Sequence, residues 1–168
     1  MERLWSPWRL AYVTGTNHQD TCVFCGAHLR QEEELIVDRG RHAFVILNLY
    51  PYNSGHLMVV PYRHVASLAA LTADELAEMM LLTQRSEIAL SEVYQPQGIN
   101  VGMNLGRPAG AGIADHVHLH LVPRWTGDTN FMSVVGNVRV LPEEVMQSAD
   151  RLRPAFERLA RQVSTVQD

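Results

Sequence analysis

Hydrophobic positions follow two rhythms along this chain. Between residues 35 and 61 they come in short runs bounded by turn formers. Leu35 to Val37 reads as a strand, Arg39-Gly40-Arg41 as a turn and Ala43 to Leu47 as a second strand. Asn48 to Gly55, rich in Pro, Asn and Gly, is a loop, and His56 to Val60 is a third strand closed by Pro61. From Thr72 the rhythm becomes helical. Thr72-Ala73-Asp74-Glu75 is a capping box, opening a helix to about Tyr94. Leu76, Met79, Met80, Thr83, Leu90 and Val93 recur at helical spacing and read as core filling. Gly98 to Leu105 and Asp115 to Arg124 are the fourth and fifth strands, with a glycine-rich loop at Gly106 to Gly112 between them. Pro142, Glu143 and Glu144 mark another helix start, with the helix running to about Val163 and a kink at Pro154. A short helix is expected after Cys25, reaching the acidic run Glu32 to Glu34. These elements predict an α+β fold, a mainly antiparallel sheet with a long helix packed on it. One domain of 168 residues is expected: a core of about 22–125, an N-terminal arm 1–21 and a C-terminal extension 126–168. The arm carries Leu4, Trp5, Trp8 and Tyr12, apolar residues that would pack on the domain or on a second subunit.

Composition narrows the possible chemistry. A hydrophobic fraction of 46% with 19% charged residues fits a globular protein rather than a disordered chain. All 14 basic residues are Arg, so lysine nucleophiles, Schiff bases and P-loop lysines are excluded. A net charge of −4 gives no reason to expect nucleic-acid or membrane binding. The first residues lack an apolar signal segment, so a cytoplasmic location is expected.

The densest chemical signal is His116-Val117-His118-Leu119-His120-Leu121-Val122. On a strand, alternate side chains share a face, so the three imidazoles would line up about 7 Å apart. Imidazole suits proton transfer, nucleophilic attack and metal binding near neutral pH. The glycine loop before them would let backbone N–H groups approach a phosphate, within reach of a histidine nucleophile. Cys22-Val23-Phe24-Cys25 holds the chain's two cysteines, a spacing that suggests a metal or a redox pair. His56 and His64 flank the third strand, whereas His18, His28 and His42 lack chemical context and read as surface or turn residues.

His-Val-His-Leu-His-Leu-Val resembles the signature of the histidine triad (HIT) superfamily. Asn48 to His56 and Val60-Pro61-Tyr62-Arg63-His64 resemble that family's upstream segment. Leu4 to Arg9 and Pro123-Arg124-Trp125 resemble a zinc-containing bacterial branch that includes diadenosine tetraphosphate phosphorylases and hydrolases. The resemblance implies a homodimer and attack at a nucleotide α-phosphate. The enzyme would be a phosphoanhydride hydrolase or nucleotidyltransferase, working through a nucleotidyl-histidine intermediate. It implies His118 as nucleophile, with His120 and His56 bonding the phosphoryl group and handling protons. It places Asn48 at the ribose, Leu49 at the base, and Asn104 and Gly112 near the phosphates. It implies a structural zinc on Cys22, Cys25, His64 and His116, with no catalytic metal. Where many members place Gln and then Ser or Thr, this chain has Gly112 and Ile113. Three alternatives stay open: a phosphorylase using inorganic phosphate, a catalytic metal held by the triad itself, and a nucleotide-binding sensor without turnover.

Overall fold

The computed structural model describes residues 22–27, 34–128 and 142–164. The element order is α1 (Val23–Ala27), β1 (Ile36–Arg39), β2 (Ala43–Leu47), β3 (Leu57–Pro61), α2 (Ala73–Tyr94), β4 (Gly98–Met103), β5 (Leu119–Arg124) and α3 (Val145–Ser164). Single 3-10 turns occupy Leu68–Ala70 and Arg107–Ala109. The N-terminal arm and the stretch reaching Glu33 lie outside the described residues.

The five strands form one antiparallel sheet in the order β1-β2-β3-β5-β4. Every residue of β2 and β3 is buried, as their unbroken apolar runs require. Helix α2 lies across β2, β3 and β5, while α3 packs on α2, β1 and β2. The core joins Phe44, Leu47, Leu57, Met79, Leu82, Leu90 and Leu121 to Leu152 and Phe156 of α3. The start of α2 is fixed by specific hydrogen bonds. Thr72 accepts from the Glu75 N–H while the Glu75 carboxylate accepts from the Thr72 N–H, the reciprocal pairing foreseen from sequence. Glu78 pins α2 to the β1–β2 turn, its carboxylate accepting from the N–H groups of Arg41, His42 and Ala43. Gly40 permits that approach, because a Cβ there would lie 2.6 Å from the Glu78 carboxyl carbon.

Four expectations are corrected. The fifth strand starts at Leu119 rather than Asp115, so His116 and His118 stand on the segment leading into it and only His120 lies on the strand. The fourth strand ends at Met103 rather than Leu105. The last helix starts at Val145, three residues after Pro142. Helix α2 buries Met79, Thr83 and Leu90 as expected, but Leu76 and Met80 are exposed, and Leu82, Ser86 and Ala89 are buried instead. Small residues at 86 and 89 let the helix approach the sheet closely, and the Ser86 hydroxyl is satisfied by Leu82 O at 2.7 Å. Among the described residues no helix is long and apolar enough to cross a membrane.

Candidate functional site

The lead-in to β5 sorts the three histidines into two centres. His116 is fully buried and turns its ring toward the cysteines. Its Nδ1 is 3.4 Å from Cys22 Sγ and 3.6 Å from Cys25 Sγ, and His64 Nδ1 is 3.3 Å from Cys25 Sγ. The four ligand atoms all lie within 4.8 Å of one another. A tetrahedral zinc with ordinary Zn–S and Zn–N lengths has S···N edges of about 3.6 Å, so these distances match the edges of a coordination tetrahedron. His116 Nε2 lies 2.8 Å from Pro61 O. A carbonyl only accepts, so Nε2 carries the proton and Nδ1 presents its lone pair to the metal position, the usual outer support of a ligating imidazole. Burial, and then Cys22, push the Cys25 thiol above its ordinary value. A dication among the four would reverse this by stabilising thiolates. The donor set therefore fits a closed structural zinc centre.

The second centre joins His118, His120 and His56. The rings of His118 and His120 are 4.7 Å apart, centroid to centroid, and those of His120 and His56 are 5.1 Å apart. Hydrogen-bond partners assign the tautomers. His118 Nδ1 is 2.8 Å from His116 O, so Nδ1 donates and Nε2 holds a free lone pair. The Tyr52 N–H donates to His56 Nδ1 at 3.1 Å. His56 Nε2–H therefore points at His120 Nδ1, 3.0 Å away. His120 is left with its own Nε2–H to offer a ligand.

Burial disfavours the charged forms of His118 and His120. Desolvation lowers His118 below the ordinary imidazole value, against the opposing pull of the His116 carbonyl. Desolvation, and then His118, lower His120 to about 4. A neutral imidazole with an unprotonated Nε2, beside a second that offers Nε2–H, can attack an electrophile and bond the charge that develops.

The structure thus brings together His56, His118 and His120, and separately Cys22, Cys25, His64 and His116. Asn48 sits next to the first group, its N–H donating to His56 O at 2.9 Å while its side-chain oxygen accepts from Tyr50 N–H. Leu49 is 52% exposed, available to a ligand. Asn104 follows β4 and turns its amide to Gly110 O at 3.5 Å. Gly112 is exposed in the loop before the triad. Two contributors were not anticipated. Phe24, between the cysteines, packs its ring 5.4 Å from His116 and 4.9 Å from His118. Tyr52 stacks on His56 at 4.9 Å as well as donating to it. An aromatic residue inside the Cys-Val-Phe-Cys motif was the available signal for Phe24.

Comparison with known proteins places the chain in a family. A sequence model described as the HIT domain matches residues 30–127. The chain is 43% identical over 152 residues to a Mycobacterium tuberculosis protein named AP-4-A phosphorylase, covering 85% of this chain and 78% of the relative. It is 29% identical over 143 residues to a Dictyostelium discoideum bis(5'-adenosyl)-triphosphatase, covering 82% and 95%. Among solved structures, a zinc-bound histidine triad family protein from Mycobacterium smegmatis superposes with a TM-score of 0.68 at 28% identity. That match covers 85% of this chain and 98% of the other.

Proposed function

The chain belongs to the histidine triad (HIT) family, and from that premise we propose an enzyme that cleaves a phosphoanhydride bond of adenine dinucleoside polyphosphates. The observation that carries this reading is the 2.8 Å contact of His118 Nδ1 with the His116 carbonyl, which leaves His118 Nε2 unprotonated and ready to attack. Nε2 bonds to the α-phosphorus, and the bridging oxygen leaves with the rest of the polyphosphate. His120, held by His56, donates its Nε2–H to a phosphoryl oxygen and stabilises the charge there. An acceptor then attacks the nucleotidyl-His118 phosphorus and restores the imidazole. Asn48 holds the ribose, Leu49 lies on the base, and Asn104 and Gly112 approach the phosphates. Zinc on Cys22, Cys25, His64 and His116 supplies structural stability; these four ligands fill a tetrahedral shell and leave no position for substrate.

The acceptor is readable from the products. With diadenosine tetraphosphate, water as acceptor gives AMP and ATP, whereas inorganic phosphate gives ADP and ATP. The relative named AP-4-A phosphorylase favours the second outcome. Chromatography of the products with and without phosphate tests both. Tight binding with no product in either condition would instead identify a sensor.

We read residues 1–168 as one HIT-like domain and propose that it forms a homodimer. Among the described residues β4 is the end strand of the sheet, and an edge strand is a surface that another chain can cover. Val101 and Leu105, on and just past it, are 50% and 45% exposed, as are Met80 and Leu81 of α2 at 58% and 61%. A cytoplasmic location is supported by Cys22 and Cys25 forming no disulfide, which suits a reducing compartment.

A further inference from the structure

The turn that delivers His56 to the site is gripped from below. Gly55 has φ +74°, a left-handed conformation that favours glycine. A Cβ at that position would lie 2.8 Å from Tyr94 Cε2 and 3.1 Å from Leu90 Cδ2. The Tyr94 ring is therefore pressed against the backbone of the residue immediately before His56. Tyr94 is itself fixed by residues outside the segment that matches the family. Its hydroxyl donates to Glu143 Oε1. The guanidinium of Arg151 sits 4.4 Å above its ring, pairs with Glu143 Oε2 at 2.6 Å and donates to Val93 O at 3.0 Å. Ser148 donates to the same Glu143 at 2.6 Å. The side of Tyr94 is touched by the Trp125 ring, 6.4 Å away and edge-on. The other end of the same turn is tied through Asn53. Its amide donates to Pro123 O and to Asp128 Oδ2, both at 2.8 Å, and its carbonyl accepts from the His56 N–H at 3.2 Å.

We propose that Tyr94 is a positioning residue for His56, and that Glu143 and Arg151, beyond the matched family segment, hold it in that role. This rests on reading His56 as the partner that orients His120. The His56 Nε2–H to His120 Nδ1 bond is 3.0 Å long, and a shift of a fraction of an ångström at Gly55 lengthens it directly. Misplacing a catalytic group by about 1 Å costs on the order of a hundredfold in rate. Helix α3 thus acts as a brace that reaches the chemistry through one aromatic ring and one glycine.

The test compares Tyr94→Leu, Tyr94→Phe and Glu143→Ala with wild type, using full-length, zinc-loaded protein. Tyr94→Leu is expected to lower kcat for diadenosine tetraphosphate by about tenfold, with KM changed by less than about twofold. Tyr94→Phe retains the ring and restores most of kcat. The imidazole nitrogen signals of His56 and His120, followed by 15N NMR without substrate, move in Tyr94→Leu and Glu143→Ala and stay near wild type in Tyr94→Phe. A folded Tyr94→Leu protein with wild-type kcat and unmoved His56 signals overturns the proposal. So does a raised KM with unchanged kcat, which would put Tyr94 against the substrate. Should Tyr94→Leu fail to fold, the His56 signals of Glu143→Ala decide alone: moved signals support the brace, unmoved ones overturn it. Because those signals are read without substrate, they remain decisive even where wild type turns over no dinucleotide and the substrate reading itself fails.

Discussion

The backbone carbonyl of His116 holds Nδ1 of His118 at 2.8 Å, while the His116 side chain faces the two cysteine sulfurs. One residue therefore serves both centres, its ring among the possible zinc ligands and its peptide on His118. The two centres are thus joined through a single residue.

If His118 is the nucleophile, His118→Asn removes turnover of diadenosine tetraphosphate by at least about a thousandfold. The zinc ligands are untouched, so metal content and melting temperature stay near wild type. Mass spectrometry of quenched reactions finds a nucleotide adduct on wild type and none on the variant. Undiminished turnover would move the nucleophile elsewhere.

Chelation discriminates a structural zinc from a catalytic one. Loss of even about 4 kcal/mol, a fraction of what zinc supplies to small metal-folded peptides, lowers the melting temperature of a chain this size by about 8–16 °C. Differential scanning calorimetry before and after chelation measures it, with one zinc released per chain. Activity lost at unchanged melting temperature would instead favour a metal on the triad.

The acid limb of stability includes Glu75. Hydrogen bonds, first from Arg63 and then from Thr72, lower its carboxyl from 4.5 to about 2. Its folded value lies below its unfolded one, so its contribution is complete above pH 4.5 and fades as pH falls from 4.5 toward 2. Glu75→Gln is expected to destabilise the protein at pH 7 and to flatten the stability curve in that window. Arg63 is 47% exposed, so solvent screens the pair and the effect is modest. Urea titrations at pH 3, 5 and 7 check it; equal losses at pH 3 and pH 7 would count against the ion pair.

A charge on the open sheet edge tests assembly. Val101→Glu places a carboxylate on half-exposed β4, where two copies would meet. Light scattering is expected to show a dimer for wild type and a monomer for the variant, with the fold retained by circular dichroism. A variant that stays dimeric puts the interface on another face.

Much of this fold was legible in the chain because its signals are local. Short apolar runs between turn residues place β1, β2 and β3, and Thr72 with Glu75 caps α2 through atoms three residues apart. The triad's residue types were legible too, but their alignment on one strand face was not, since only His120 lies on β5. Nor was it legible which ring of the triad does what. His116 and His118 are two residues apart, yet one faces sulfurs from residues 22 and 25 and the other faces His120. That division depends on where α1 docks, a contact spanning more than 90 residues of sequence. Part of the buried face of α2 likewise escaped the pattern, because Ser86 and Ala89 are buried for their small size rather than their hydrophobicity. Sequence alone determined the residue types, their alternation and the caps, all set by neighbours a few positions away. Only the tertiary structure decided tautomers, burial and the grip of Tyr94 on Gly55, because each requires a partner brought close by packing of distant segments.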